Sequence, residues 1–377
     1  MKTKYTIIIA VVAIVIVVAS VMASGYLSQT ASNSNTQSTT QKSITIDAAG
    51  ATFPQPLLTA MISQYTTKVQ PAVQINYDGV GSGAGVTDFE SKTIDFAASD
   101  APLNAAEMAQ APNALHIPET IGAVTIAYNL PGIPTGLHLT GKVIADIFQG
   151  IVTIWNDPEI QSLNQNTTLP AQPIQIVHRS DGSGTTFIFT GYLSASSCAW
   201  NSSIGQGKTV AWPIGVGAQG NPGVASVVQG TPYMVGYVEL AYALQNNMTV
   251  AAVQNPSGNW ILPSLSSIQD AVQSVASSGL PAGDQSWANV NLLNAPEPQA
   301  YPVVSFTYLL VYKELDVVPG MTQAQATAEV QFLWWVIHDG QKLSPTLEYV
   351  PLSSSVVQID ENTIQSITFN GQHLSTS

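Results

Sequence analysis

The chain opens with Lys2 and Lys4 and then an apolar run from Ile7 to Ala19, which continues with one serine to Ala23. Basic residues ahead of an apolar stretch are the pattern of an export signal, and Val21 and Ala23 stand where small residues would allow cleavage. The run is about 17 residues, at the short limit of a membrane span, so residues 1–23 read as a signal peptide or a retained anchor. No cysteine follows the run directly, which excludes a lipid anchor on an N-terminal cysteine. From Ser28 to Ser43 nearly every residue is Ser, Thr, Asn or Gln. No core forms from that composition, and residues 24–43 are expected to be a flexible linker.

Alternation begins at Ile44-Thr45-Ile46, a short strand that runs into Ala49-Gly50-Ala51-Thr52-Phe53-Pro54. Leu57, Leu58, Met61, Ile62 and Tyr65 then share one helical face, with Pro54 and Pro56 tolerated in the first turn. A strand at Val73 to Tyr77, a glycine-rich turn, a short helix to about Lys92 and a strand at Ile94 to Ala98 follow. Strands and helices in strict alternation predict a parallel α/β sheet. A second strand-rich stretch begins at Ala123 to Tyr128, with a helix over Gly141 to Phe148 and a strand at Ile174 to Val177. Thr186 to Leu193 reads as helix, Val303 to Tyr312 as strand and Ala324 to His338 as helix.

Length and composition narrow the function classes. At roughly 150 residues per domain, 377 residues predict two to three domains. Hydrophobic residues are 45% and charged residues only 9%, which excludes disorder over the whole length. Ten Lys and Arg against twenty-three Asp and Glu leave a net charge of −13, too few cations for a nucleic-acid face. Cys198 is the single cysteine, so no intramolecular disulfide, cysteine-zinc cluster or iron–sulfur site is expected. With no HExxH run or close histidine pair, no metal and no cofactor is expected. Sequons at Asn166, Asn201 and Asn247 favour, with the leader, an extracellular surface.

Three short loops carry the candidate chemistry: Ala51-Thr52-Phe53, Gly81-Ser82-Gly83 and Gly182-Ser183-Gly184-Thr185. Each follows a predicted strand and would place amides and a hydroxyl at a helix start. Unpaired first-turn donors and the helix dipole make such a place an anion site. Arg179 adds a guanidinium able to grip two oxygens of a tetrahedral oxyanion. Asp100 is the odd member, because a carboxylate repels an anion unless a proton lies between them. Phosphate keeps a proton at neutral pH and sulfate does not. One carboxylate could therefore reject sulfate by about 10⁴ or more. Gly79-x-Gly81-x-x-Ala84 with Asp100 beyond it mimics a dinucleotide fingerprint, but its βαβ unit is too short. A phosphate-binding P-loop would need Lys where Thr185 stands. Ser183, His178 and Asp181 have the residue types of a hydrolase triad but lie within six positions, where that geometry does not readily form.

Taken together, the loops resemble those of the phosphate-binding subunits of the Pst phosphate import system. Similarity runs in order through Ala49-Gly50-Ala51-Thr52-Phe53-Pro54, Asp78-Gly79-Val80-Gly81-Ser82-Gly83, Asp95-Phe96-Ala97-Ala98-Ser99-Asp100-Ala101-Pro102-Leu103 and His178-Arg179-Ser180-Asp181-Gly182-Ser183-Gly184-Thr185-Thr186-Phe187. Trp212-Pro213-Ile214-Gly215 and Gly236-Tyr237-Val238-Glu239 are similar to further stretches of the family. The resemblance implies a two-lobe α/β periplasmic-binding-protein-like fold (type II) with the ligand between lobes joined by a hinge. Lobe 1 would be residues 44–122 and 303–377, and lobe 2 residues 123–302. It also implies that Thr52, Phe53, Ser82, Asp100, Arg179, Ser183, Gly184 and Thr185 hold inorganic phosphate, with Asp100 accepting its proton and Asp181 bracing Arg179. The implied partners are the membrane permease subunits of an ABC importer and its ATPase. The protein would be a monomer and not an enzyme, tethered at or secreted to the extracellular face of the membrane. The alternatives are a secreted phosphatase-like hydrolase, a surface adhesion protein that kept the fold, and a receptor for another oxyanion such as sulfate.

Overall fold

Residues 43–273 and 279–377 are described by the structure, a computed structural model. The leader, whether signal or anchor, and nearly all of the predicted linker lie outside the described residues. Four strands open the chain: β1 (Ile44–Gly50), β2 (Val73–Asp78), β3 (Phe96–Ser99) and the fifteen-residue β4 (Ala114–Tyr128). Helix α1 (Gln55–Gln64) links β1 to β2, burying Leu57, Leu58 and Met61 as their spacing predicts. Helix α2 (Ser82–Glu90) links β2 to β3, and the short α3 (Ala105–Gln110) precedes β4. Next come α4 (Gly141–Phe148), β5 (Gln175–Arg179), α5 (Gly184–Ser196), β6 (Val216–Ala218), α6 (Gly220–Gly230), β7 (Met234–Glu239) and the two-residue β8 (Thr249–Val250). The strand β9 (Val304–Tyr312) and the helices α7 (Gln323–Ile337) and α8 (Ser354–Gln365) complete the core elements.

The strands form one sheet in the order β2-β1-β3-β9-β4-β7-β5-β6, with β8 beside β4. Parallel pairs, β1 with β2 and β3, and β5 with β6 and β7, occupy its two ends. The middle departs from the parallel sheet expected: β9 runs antiparallel to β3 and β4, and β4 antiparallel to β7. Strand β4 changes partner midway. Ala114 to Ala123 pair with β9, whereas Val124 to Tyr128 pair with β7. The Val124 amide also donates to Val303 O at 2.9 Å, so both chain passages between the sheet halves lie side by side.

Strand β4 starts nine residues before the predicted Ala123. All fifteen of its residues are buried, including His116, Pro118, Glu119 and Thr120, which break any alternation. The ladder to β9 slips there, with Thr307 opposite Thr120 and Tyr308 opposite Pro118. Glu119 is thus the extra residue of a β-bulge, a position that accommodates a neighbouring proline and re-aims side chains. Among the described residues, no helix is long and apolar enough to cross a membrane. Asn166, Asn201 and Asn247 are all exposed.

Candidate functional site

Four strand-to-helix turns and one strand end meet at the junction of the sheet halves. The first turn, Ala51 to Pro54, leaves β1 through Gly50 at φ +143°, where a Cβ would lie 2.1 Å from Ala98 O. Only glycine allows that crossing of β3. The carbonyls of this turn point backward: Tyr242 OH donates to Thr52 O at 2.6 Å and Tyr349 OH to Phe53 O at 2.7 Å. Thr52 and Phe53 are buried, and their N–H groups make no hydrogen bond among the described residues. The Ser82 and Thr185 amides, in the first turns of α2 and α5, are likewise buried and unbonded among the described residues. Buried amides without partners are rare in folded proteins, and here four of them share one locality with two helix N-termini.

Side chains from both halves interlock around these amides. Ser82 Oγ accepts from Asp100 N at 3.3 Å and from Gly184 N at 3.1 Å, joining the turn before α2 to the turn before α5. Gly83 N donates to Gly182 O at 2.8 Å across the same junction. Arg179, at the end of β5, is 3% exposed; its Nε donates to Asp181 Oδ1 at 2.7 Å and its Nη2 to Asp181 Oδ2. Asp181 Oδ1 also accepts from Gly220 N at 3.0 Å. Asp181 therefore holds the guanidinium plane while Arg179 Nη1 reaches Thr185 Oγ1 at 3.2 Å. Ser183 Oγ caps α5 by accepting from Thr186 N at 3.0 Å.

All eight residues expected to bind the ligand, with Asp181 behind them, thus lie in one buried neighbourhood. The triad reading finds no such geometry. His178 turns its Nδ1 to Arg179 O and stacks on Trp212, while Asp181 serves Arg179.

Sequence reasoning missed a fourth turn, Gln219-Gly220-Asn221, which starts α6. Asn221 is fully buried; its Nδ2 donates to Thr52 Oγ1 and Thr185 Oγ1, each at 3.0 Å, and its N–H donates to Thr52 Oγ1 at 3.0 Å. Its Oδ1 accepts from Glu239 N at 2.9 Å. The run Gly217-Ala218-Gln219-Gly220-Asn221-Pro222-Gly223 has the same post-strand, glycine-rich character as the three loops recognised, so its signal was present. Thr307, Glu119, Tyr242 and Tyr349 had none, since each reaches the site from a remote part of the chain; Glu239 closes the family-like stretch Gly236-Tyr237-Val238-Glu239 but was given no role there.

The electrostatics are those of a buried site. Burial raises the Asp100 carboxyl to about 7, although hydrogen bonds from Thr307 and Ser82 and the Arg179 charge pull it down. Burial and then the Asp100 charge raise Glu119 to about 8. Glu239 is raised well above the usual carboxylate range, again chiefly by burial. Hydroxyls, free amides, one braced guanidinium and a carboxyl near neutrality can together enclose a small tetrahedral oxyanion that carries one proton. Among the described residues, no group of three His, Cys, Asp or Glu is placed to hold a metal ion.

Comparison with known proteins gives concordant results. The family model for the PBP superfamily domain matches residues 31–338. A phosphate-binding protein PstS of Xylella fastidiosa is 42% identical over 325 residues, covering 84% of this chain and 84% of that protein. A phosphate-binding protein PstS of Methanocaldococcus jannaschii is 38% identical over 341 residues, covering 86% of each. Among solved structures, a human phosphate-binding apolipoprotein superposes with a TM-score of 0.65 at 20% identity, over 83% of this chain and 92% of that one.

Proposed function

The chain belongs to the PstS family of phosphate-binding proteins, with the two-lobed α/β fold of the PBP superfamily, and from that membership we propose that it captures inorganic phosphate and delivers it to an ABC-type import permease. The observation that carries the reading for this chain is the convergence of four unbonded buried amides, at Thr52, Phe53, Ser82 and Thr185, on Arg179 and Asp100. In this reading those amides and the Thr52, Ser82, Ser183 and Thr185 hydroxyls donate to phosphate oxygens. Gly184 allows close backbone approach, and Arg179 supplies the one positive charge. Asp100 and phosphate share a single proton, so a fully ionised oxyanion leaves two acceptors facing each other. Asn221 orients Thr52 and Thr185 and joins the binding set.

The lobes are residues 44–122 with 303–377, and 123–302. The change of partner along β4 at Ala123 and Val124, beside Val303, supports that division. Ligand from lobe 1 (Thr52, Phe53, Ser82, Asp100) then faces ligand from lobe 2 (Arg179, Ser183, Gly184, Thr185), and closure joins them. We place the protein on the outer side of the cell membrane, secreted or tethered, as a monomer without catalytic activity. It serves permease subunits whose ATPase works on the cytoplasmic side. Titration calorimetry with phosphate and with sulfate at neutral pH tests the reading. Tight binding of phosphate with weak binding of sulfate is expected, and equal or absent binding of both defeats it.

A further inference from the structure

Behind the ligand-facing residues lies a chain of three polar groups from three adjacent strands. Asp100 follows β3, Thr307 stands on β9, and Glu119 is the bulged residue of β4. Thr307 Oγ1 is 2.9 Å from Asp100 Oδ1 and 3.4 Å from Glu119 Oε1. All three residues are at most 1% exposed. A hydroxyl has one proton to give. The shorter contact takes it, so Thr307 donates to Asp100 Oδ1. Its oxygen can then only accept from Glu119, and Glu119 can donate only as a neutral acid. Glu119 Oε2 has no hydrogen-bond partner among the described residues, which a buried anion could not sustain. The other oxygen of Asp100 looks the opposite way: a Cβ built on Gly184, at the start of α5, would lie 2.5 Å from Asp100 Oδ2.

We propose that Glu119, held protonated, and Thr307 form a fixed donor relay that keeps Asp100 a hydrogen-bond acceptor on its ligand-facing oxygen, making both residues determinants of specificity for a protonated oxyanion. No proton moves in the resting arrangement: Glu119 O–H points to Thr307 Oγ1, Thr307 O–H to Asp100 Oδ1, and Asp100 Oδ2 is left for the hydroxyl of the ligand. The bulge takes Glu119 out of the ladder and re-aims its side chain, which lies within reach of Thr307. The groups facing the relay are Arg179 and Asp181 at the end of β5, Glu239 at the end of β7, Tyr77 on β2, Tyr242 just after β7, and Tyr349. Arg179 is their sole cation and is already paired with Asp181. A second uncompensated carboxylate beside Asp100 is therefore disfavoured, consistent with Glu119 titrating near 8.

The inference rests on the phosphate reading, and its test separates the two. Wild type, Glu119→Gln, Glu119→Leu and Thr307→Val are titrated with phosphate and sulfate from neutral to alkaline pH. Phosphate passes to its monohydrogen form near neutrality and then keeps its last proton, so a change on the alkaline side belongs to the protein. Glu119→Gln, isosteric with the neutral acid and still a donor, is expected to bind phosphate within about threefold of wild type at neutral pH, and Glu119→Leu about tenfold more weakly. Wild type should lose affinity above about pH 8, where Glu119 ionises, and Glu119→Gln should not. Thr307→Val removes a donor that keeps Asp100 ionised, so the phosphate-to-sulfate ratio should narrow about tenfold. Infrared spectra of ligand-free protein at neutral pH should contain a protonated-carboxyl band that Glu119→Gln lacks. The relay is overturned by a Glu119→Gln protein that fails to fold, that binds no better than Glu119→Leu, or that keeps the alkaline loss. An unchanged ratio in Thr307→Val, or an infrared difference without that band, overturns it too. Wild type that binds no phosphate at all defeats the phosphate reading instead, and the infrared band still reports on Glu119.

Discussion

In the proposed reading selectivity rests on Asp100, whose Oδ2 lies nearest, among the described residues, to a Cβ built on Gly184 while its Oδ1 faces Thr307. With its carboxyl raised to about 7, acidification below neutrality gives it a proton. A protonated Asp100 can donate to sulfate, which remains fully ionised, so the repulsion that excludes sulfate weakens. Sulfate binding by the wild type is thus expected to strengthen as pH falls below about 7, and calorimetry over a pH series measures it. Asp100→Asn offers a donor at every pH and an acceptor as well. It should bind sulfate about tenfold or more tightly than wild type at neutral pH, lose the pH dependence, and keep phosphate affinity within about tenfold. A sulfate affinity that stays flat with pH in wild type would remove Asp100 from the selectivity argument. The sequence drew notice to this residue through the polar Ser99-Asp100-Ala101-Pro102 turn that ends an apolar strand, and the family resemblance implied its role. Its partners Thr307 and Glu119 were illegible, since one hides in a strand read only as apolar and the other in a bulge that no local pattern announces.

At the scale of elements, the turns before helices were the readable part: a single glycine- and hydroxyl-rich run is most often a plain turn, but three of them after strands in one chain point to a shared site. The boundaries of α4 were met at both ends, Gly141 and Phe148, where Thr140 caps the first turn by accepting from Val143 N. The turn before α6 escaped because its hydrogen-bonding residue is an amide rather than a hydroxyl. The turn before α5 makes the sharpest steric demand. A Cβ on Gly184 would come within 2.6 Å of Ser82 Oγ and of Asp100 Cβ, all from the opposite half. Gly184→Ala leaves α5 free to form but holds the halves apart. Phosphate affinity should fall at least about a hundredfold, equivalent to nearly 3 kcal/mol, with ligand-free melting little changed. Retention of wild-type affinity would show that the approach is not needed for binding. Strand β4 carries a separate prediction. His116 Nε2 accepts from Leu103 N at 3.0 Å, so the buried ring is held neutral, and burial lowers it to about 4. A group whose folded value lies below its unfolded one gives stability above the unfolded value and loses it as pH falls toward the folded one. His116 should therefore make the protein less stable on going from about pH 6.5 to about 4, by up to about 3 kcal/mol. Buried Asp100 and Glu119 act with the opposite sign, so the comparison is between wild type and His116→Gln. The variant should lose less stability over this interval in denaturant titrations, and parallel curves would refute the assignment.

Across the whole molecule, the halves are joined by the shared sheet and by a contact outside the binding site. Lys208 Nζ pairs with Glu107 Oε1, with the two side chains 16% and 17% exposed. Lys208 lies between β5 and β7 in the chain and Glu107 on α3, so the pair spans the proposed cleft. The Lys208 carbonyl also accepts from Ser183 N at 2.8 Å, so the same residue positions the turn that starts α5. Glu107 has a second duty, because its Oε2 accepts from Asn104 N at 3.0 Å in the capping box of α3. Removing the lysine charge therefore isolates the contact between halves, whereas replacing Glu107 would also fray α3. Lys208→Met keeps the aliphatic stem and the backbone carbonyl. Part-burial makes the pair worth more than an exposed one, though of order 1 kcal/mol once screening is allowed for. A contact present only when the halves meet slows their parting, so the loss should appear in dissociation. Stopped-flow release of phosphate from Lys208→Met is expected to be about fivefold faster than from wild type, with association nearly unchanged and with wild-type release accelerated by salt toward the variant's rate. Equal release rates at low salt would mean that the pair forms without helping to hold the halves together.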